Sequence, residues 1–125
     1  MTKVGEHVTF DIIGTQKEYD PKFYEKLVYK IAKKAKVVVL EISKYKFEPQ
    51  GFTLVALLAE SHISFHTFPE KGIISFDFFT CGKISPSVAL EVLKKEIKHT
   101  RIVKKEFNRD TAVSYTHLRA HETYP

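Results

Sequence analysis

The amino-acid sequence predicts an α+β fold, an α/β two-layer sandwich in which two helices cover one face of a largely antiparallel sheet. Three observations lead to this prediction. Six segments have the alternation or the β-branched content of strands, and two have apolar residues at helical spacing. Their order is β-α-β-β-β-β-α-β, and the connections between the four middle strands are short enough for hairpins. With 43% hydrophobic residues, the 125-residue chain can form one continuous core.

The first three elements are a strand, a helix and a second strand. His7–Ile13 alternates apolar and polar residues and precedes a glycine, which predicts a strand. Asp20 followed by Pro21 is typical of a helix start, and apolar residues recur at helical spacing from there to about Ala35. The continuous apolar run within Lys36–Ile42 predicts a strand that is buried on both faces.

Three more strands and one helix follow. Phe52–Glu60 is long and apolar, which predicts the third strand. His62–Thr67 alternates so that its two histidines share one face with Ser64, and this predicts a half-buried strand rather than a helix. The remaining elements are predicted at Ile73–Phe79 (strand), from a Ser85-Pro86 cap to Ile97 (helix) and at Arg101–Phe107 (strand).

Composition disfavours several classes of protein. The net charge of +5 comes from lysines scattered along Lys17–Lys36 and Lys94–Lys105, at positions typical of solvated helix faces, so we expect no nucleic-acid partner. No apolar run approaches the roughly 20 residues of a membrane span, so we expect no membrane association. The single cysteine, Cys81, cannot form an internal disulfide and favours a reducing compartment, which predicts a cytoplasmic protein.

One domain is expected over residues 1–110. The segment Val113–Pro125 has no clear period and departs from the preceding charge pattern, so residues 111–125 are expected to be a non-native or disordered tail. The sheet face that the helices leave uncovered carries many aromatic residues. Burial of that face against a second copy of the chain would give a homodimer.

Polar, titratable residues are concentrated in Ala59–Glu70, directly after the apolar third strand. A rigid strand that runs into such residues is a common way to present a functional site. His62 and His66 could begin a metal site. Residues that could complete it are Glu70, Asp77 and Cys81. The sequence contains no CxxC and no HExxH, and no second histidine pair before the tail, so the residues give this interpretation little support.

Two further kinds of chemistry stay open on the residues alone. Cys81 could be a nucleophile beside a histidine, or a buried structural cysteine. Ser61 could attack the Glu60 carbonyl if that peptide bond lies in a strained turn beside a base, or it could be an ordinary polar residue at a strand end. In a straight strand Ser61 and His66 face opposite ways, so this chemistry requires a bend between them.

Four segments occur in a distinctive order: Gly5-Glu6-His7, Phe47–Gly51, Ala59–Glu70 and Phe79–Gly82. Together they resemble the small prokaryotic (class 1) S-adenosylmethionine decarboxylase proenzymes, and Ala59–Glu70 is similar to the processing-site motif of that family. The similarity covers roughly residues 3–108. It implies the fold of that family, with the sheets packed in a dimer.

The resemblance implies an enzyme that cleaves itself. Ser61 would attack the Glu60 carbonyl, and the chain would split into a β chain (residues 1–60) and an α chain (residues 61–125) that begins with a pyruvoyl group. This group would form a Schiff base with the substrate amine and act as the electron sink, so neither a metal nor pyridoxal phosphate is expected. His66 would be the proton acceptor in processing, and Cys81 the proton donor in decarboxylation.

By the same resemblance, the substrate is S-adenosylmethionine, and its product is the aminopropyl donor for spermidine and other polyamines. Phe47 would stack on the adenine ring, and Glu70 would hold the ribose or the sulfonium end. Thr53 belongs to the same site and stands where serine is frequent, and Phe68 stands where tryptophan is frequent.

Two alternative functions stay open. The first is a pyruvoyl-dependent arginine decarboxylase that resembles the same family and produces agmatine. Phe47 disfavours it, because a guanidinium group is bound by carboxylates rather than by aromatic stacking. The second is a processing-dead homologue with a regulatory or binding role, which the intact Glu60-Ser61, His66 and Cys81 disfavour.

Overall fold

A computed structural model describes residues 3–81 and 83–110 of the chain. The strands are β1 (Lys3–Ile13), β2 (Val39–Lys46), β3 (Phe52–Leu58), β4 (Ser61–Phe68), β5 (Ile73–Thr80) and β6 (Arg101–Asp110). The helices are α1 (Pro21–Ala35) and α2 (Ala89–Glu96). Neither helix is long and apolar enough to cross a lipid bilayer. The tail predicted at residues 111–125 lies outside the described residues.

All six strands form one sheet in the order β2-β3-β4-β5-β1-β6, and each neighbouring pair is antiparallel. Strands β2 to β5 follow one another as hairpins, whereas β1 lies between β5 and β6. Both helices pack on the same face of the sheet. The predicted element order and two-layer arrangement are therefore confirmed.

Capping residues set both ends of helix α1. Asp20 Oδ1 accepts a hydrogen bond from the Phe23 backbone N–H (3.1 Å), and Pro21 lies in the first turn, where no N–H is needed. Lys36 ends the helix in the left-handed conformation with φ 59°, and its N–H donates to the Lys33 carbonyl (3.2 Å). The buried stripe of α1 consists of Tyr24, Leu27, Val28, Ile31, Ala32 and Ala35.

The core lies between the helices and the covered face of the sheet. Alternate residues of the central strands point into it and are fully buried, as Phe10, Leu54 and Phe65 are. The Tyr24 ring of α1 packs on Phe52 and Phe65, with 5.3 Å between ring centroids in both pairs. Burial raises the pKa of the Tyr24 phenol, because the phenolate would lose its hydration there.

The prediction for the second strand was wrong in its start and in its burial. β2 begins at Val39 because the left-handed Lys36 turns the chain out of the helix before pairing starts. β2 is also an edge strand with one neighbour, and Val38 and Leu40 are 63% and 59% exposed. A register shift between Val39 and Glu41 marks a bulge, which is common at sheet edges. The apolar run is therefore not buried on both faces.

Other boundaries also differ from the prediction. β3 ends at Leu58 because residues 59 and 60 form the turn to β4. β1 and β6 are longer than predicted because they pair with each other almost to the ends of both strands. α2 begins at Ala89, because the Ser85 hydroxyl caps a separate 3-10 turn, Pro86–Val88, by accepting from the Ser87 N–H (3.3 Å).

The sheet face opposite the helices, which we call the open face, carries exposed apolar side chains. Five large ones are between 38% and 64% exposed: Tyr45, Val55, Leu57, Phe68 and Phe107. Monomeric soluble proteins seldom expose so many large apolar groups on one surface. This exposure supports the packing of two copies through the open face, which stays a prediction.

Candidate active site

The turn between β3 and β4 holds the backbone in an unfavourable conformation. Leu58 and Ser61 pair across it, so only Ala59 and Glu60 reverse the chain direction. Glu60 has φ 61°, in the left-handed region that favours glycine. A residue with a side chain costs about 1–2 kcal/mol in that conformation. The peptide bond predicted to be cleaved follows this residue directly.

Ser61 begins β4 and lies at the wall of a small pocket. Its side chain points to the core side of the sheet and is only 7% exposed. A pocket of about 230 Å³ lies beside it, and Glu60, Ser61 and Cys81 are among its lining residues. Lys36 and Lys83 also line it. The pocket therefore brings together a hydroxyl, a thiol, the strained turn and two cationic side chains.

Cys81 comes to this pocket through the register of β4 and β5. Phe79 pairs with His62, so one residue further along the strands Thr80 lies beside Ser61, and Cys81 follows at the strand end. The Thr80 hydroxyl donates to the Ile84 carbonyl (2.7 Å), which holds the segment after β5 close to the sheet. Cys81 is half-buried and is not part of a disulfide.

His66 lies near the other end of β4, together with the three residues predicted to bind substrate. Thr53 Oγ1 and His66 Nδ1 are 3.1 Å apart across β3 and β4. Phe47 is 46% exposed in the loop after β2, and its N–H donates to the Gly51 carbonyl (2.8 Å). Glu70 lies in a 3-10 turn directly after β4. We call Glu60, Ser61 and Cys81 the Ser61 pocket, and Phe47, Thr53, His66 and Glu70 the His66 group.

Strand β4 keeps the two groups apart. Ser61 and His66 are five residues apart in a strand that pairs without interruption with both neighbours, so their Cα atoms are about 16 Å apart. Their side chains also lie on opposite faces, Ser61 toward the core and His66 on the open face. The bend that the sequence analysis required between them does not occur in β4. The structure therefore does not bring His66 to Ser61 within one chain.

The residues considered for a metal site do not come together either. His62 and His66 share the open face, but four residues of strand put their Cα atoms about 13 Å apart. Cys81 and Glu70 lie at opposite ends of the sheet. Of the five residues considered, His62 and Asp77 approach each other, with 3.7 Å between His62 Nε2 and Asp77 Oδ2.

The structure also contains a contact between His7 and Asp77 that the sequence does not predict. His7 Nε2 is 2.8 Å from Asp77 Oδ2 across β1 and β5. Alternation in each strand places both residues on the open face. Their proximity depends on β1 pairing with β5, which is remote in sequence, and no local pattern indicates that pairing. The motif Gly5-Glu6-His7 indicates that His7 has a functional role, but it does not indicate that Asp77 lies beside it.

Comparison with known proteins gives a consistent result. Residues 6–110 match the family model described as S-adenosylmethionine decarboxylase. The chain is 39% identical to the S-adenosylmethionine decarboxylase proenzyme of Prochlorococcus marinus (strain MIT 9313) over 111 residues, 86% of this chain and 89% of that protein. It is 37% identical to the proenzyme of the same name from Synechococcus sp. (strain WH7803), over 92% of both chains.

A solved structure has the same fold. The crystal structure of the adenosylmethionine decarboxylase from Aquifex aeolicus VF5 superposes with a TM-score of 0.77 at 31% sequence identity. The match covers 88% of this chain and 93% of that one. The similarity thus extends over nearly all of the described residues, including the Ser61 pocket and the His66 group.

Proposed function

The chain belongs to the S-adenosylmethionine decarboxylase family, and from this premise we propose that it is a self-processed enzyme that uses a pyruvoyl group made from Ser61. It decarboxylates S-adenosylmethionine, and the product serves polyamine biosynthesis. The observation that carries the proposed mechanism is the Ser61 pocket, where a strained Glu60, a serine hydroxyl and a thiol meet. The solitary cysteine supports a cytoplasmic location.

Processing starts from the strained turn. The Ser61 hydroxyl adds to the Glu60 carbonyl carbon, the peptide C–N bond breaks, and the acyl group passes from nitrogen to oxygen as an ester. Loss of the Ser61 α-proton then expels Glu60 as a carboxylate and leaves a dehydroalanine. Water replaces its nitrogen, which departs as ammonia, and a keto group remains. Breaking the peptide bond frees the chain at Glu60, and relief of its left-handed conformation contributes at most about 1–2 kcal/mol to this step.

The pocket fits the group that this reaction would produce. The new N-terminus stands at the pocket wall, next to about 230 Å³ of space and beside Cys81. A pyruvoyl group supplies an electron sink for the electron pair released with carbon dioxide. The Cys81 thiol then gives a proton to the substrate carbon that lost the carboxylate. Lys36 and Lys83 add positive charge near an anionic substrate group.

The separation of the two groups leads us to propose a homodimer with shared sites. His66 can serve Ser61 only if it comes from another chain, because β4 holds the two residues of one chain about 16 Å apart. Antiparallel two-fold packing of open faces would lay the His66 end of β4 in each chain over the Ser61 end of β4 in the other. The Ser61 side chain points to the core side, so the turn before it would have to open toward the partner for the two groups to meet. The exposed apolar side chains of the open face support this packing.

The His66 group has the chemistry that an adenosyl substrate needs. The exposed Phe47 ring offers a surface for adenine, and Tyr45 supports it with 4.9 Å between ring centroids. The Glu70 carboxylate can accept hydrogen bonds from ribose hydroxyls or lie near the sulfonium charge. Thr53 keeps a hydroxyl next to His66 (3.1 Å). We assign these residues to substrate binding.

Intact-protein mass spectrometry under denaturing conditions tests the processing. Freshly purified enzyme should give two chains, residues 1–60 and 61–125, the second about 17 Da lighter than its sequence because serine has lost its nitrogen. Ser61→Ala should give one uncleaved, inactive chain. Ser87→Ala is the matched control, because the Ser87 hydroxyl donates to Glu106 (2.9 Å) and belongs to neither the Ser61 pocket nor the His66 group, so this variant should be cleaved.

Each outcome of that experiment has a clear meaning. An intact wild-type chain that still decarboxylates S-adenosylmethionine would refute the pyruvoyl mechanism, and so would an active Ser61→Ala variant. An assay of carbon dioxide release from arginine is run in parallel. Release from arginine and not from S-adenosylmethionine would overturn the substrate assignment and leave the processing mechanism in place.

A further inference from the structure

A compact cluster of metal-ligand side chains lies on the open face, outside both the Ser61 pocket and the His66 group. It consists of His7 on β1, His62 on β4 and Asp77 on β5. Asp77 Oδ2 is 2.8 Å from His7 Nε2 and 3.7 Å from His62 Nε2. One ligand atom of each residue lies within 4.8 Å of the other two. All three side chains are partly exposed in the single chain, so an ion can reach them before two copies pack through the open face.

These distances are close to those of a tetrahedral zinc site. Zinc binds imidazole nitrogen and carboxylate oxygen at about 2.0–2.2 Å, so two ligand atoms of one ion lie about 3.3 Å apart. The two measured separations bracket this value, and each differs from it by about half an ångström. Small rotations of the two histidine rings about Cβ would make up the difference. Two imidazoles with one carboxylate are a ligand set that first-row transition ions favour.

Neighbouring residues already orient the three ligands. The Ser64 hydroxyl donates to Asp77 Oδ1, which leaves Oδ2 directed at the imidazoles. Hydrogen bonds of this kind orient metal-binding carboxylates. The Phe79 ring fixes both histidines, since His62 stacks on it (5.7 Å) and His7 meets it edge-on (6.0 Å). The ligands stand on hydrogen-bonded strands, so their spacing is set by the sheet.

One charge on the same face opposes a cation. The Arg109 guanidinium on β6 lies 5.2 Å from the Phe79 ring centroid. Its positive charge reduces the attraction of the cluster for a divalent ion, but the flexible arginine side chain can turn away toward solvent. The Asp77 carboxylate is in direct contact with the imidazoles and is closer to the proposed ion than Arg109 is, so its negative charge dominates the electrostatic potential at the site.

We propose that His7, His62 and Asp77 bind one Zn²⁺ or similar transition-metal ion per chain. The ion takes the place of the proton between His7 Nε2 and Asp77 Oδ2, and that proton passes to the buffer. Water completes the tetrahedron. The site uses neither Ser61 nor Cys81, so its presence or absence is independent of the proposed decarboxylation mechanism.

Direct metal titration tests the proposal. Full-length, tag-free protein is titrated with Zn²⁺ by calorimetry and with Co²⁺ by visible absorption, where a tetrahedral site gives intense d–d bands. One ion per chain should bind. Asp77→Ala, His7→Gln and His62→Gln should each weaken binding by more than about 100-fold, and Ser64→Ala by about 10–100-fold through the loss of its hydrogen bond. His99→Gln is the matched control, because His99 contacts the Ile97 carbonyl (2.6 Å) and not the cluster.

The tail supplies a second control, because its His117 and His121 could bind metal on their own. The double variant His117→Gln/His121→Gln should keep the affinity of the wild type. The proposal is overturned if Asp77→Ala binds within about threefold of the wild type. It is also overturned if affinity is lost in the tail variant or in Cys81→Ala instead. Should Asp77→Ala fail to fold, Ser64→Ala and His62→Gln carry the test.

Discussion

Mixing two inactive variants tests whether each active site is built from two chains. Ser61→Ala removes the serine proposed to become the pyruvoyl group, and His66→Ala removes the proposed proton acceptor, so each variant alone should have less than about 1% of wild-type activity. In a mixed dimer, one site joins an intact Ser61 pocket from one chain to an intact His66 from the other. The second site of that dimer lacks both groups. A mixed dimer should therefore have about half of the wild-type activity.

The expected size of the recovery follows from random assembly. Equal co-expression gives about half mixed dimers, so the unfractionated mixture should reach about a quarter of the wild-type activity. Two different affinity tags, applied in sequence, isolate the mixed dimer and should raise the value to about half. Decarboxylation is followed by carbon dioxide release, and cleavage by mass spectrometry of the same sample.

A second pair of variants makes the experiment specific. Ser61→Ala and Cys81→Ala remove two members of the same pocket, which the structure assembles within one chain. Their mixed dimer contains no complete site and should stay inactive. If the Ser61/His66 pair shows no recovery, or if the Ser61/Cys81 pair recovers equally, the two-chain site is wrong. The 16 Å separation within β4 would then have to be closed by a rearrangement of the single chain.

Two further predictions concern stability. In an uncleavable Ser61→Ala background, Glu60→Gly should raise the free energy of unfolding by about 1 kcal/mol in denaturant titrations, because glycine accepts φ 61° without strain. Ala59→Gly, at a position without positive φ, should give no gain, and an equal gain there would contradict the assignment of strain to Glu60. Burial raises the pKa of Tyr24 above its ordinary value of 10.0, so unfolding releases its proton at high pH, and stability should fall as pH rises past about 10. Tyr24→Phe should flatten this fall, and an unchanged slope would show that other groups cause it.

Local sequence patterns predicted the elements whose structure is fixed by nearby residues. The Asp20-Pro21 start of α1 and its end at Ala35 follow from capping and from a 3.6-residue period. The alternation in β4 correctly separated His62 and His66 from Ile63 and Phe65. Such features depend on a few neighbouring residues, which is why the sequence suffices to find them.

Features that depend on the order of strands in the sheet could not be predicted from local sequence patterns. The apolar run within Lys36–Ile42 predicts burial on both faces, but the edge position of β2 leaves Val38 and Leu40 exposed, and edge position is a property of the whole sheet. The same limit hid the contact between His7 and Asp77. For the candidate site, the alternation of side chains along β4 correctly predicted that Ser61 and His66 lie on opposite faces of the sheet. It could not tell whether a bend or a second chain resolves the conflict.

The position of β1 in the sheet determines whether the two cleaved chains could separate and refold. A cut after residue 60 leaves β1, β2 and β3 on one product and β4, β5 and β6 on the other. Because β1 lies between β5 and β6, the two products would interlock, and separating them would require breaking both borders of β1 as well as the border between β3 and β4. The continuous chain also joins β3 to β4 as a hairpin, which the cut products would have to find by diffusion. If the chain is cleaved as proposed, only the uncleaved precursor would fold efficiently, and enzyme that unfolds after cleavage should be replaced by synthesis rather than by refolding.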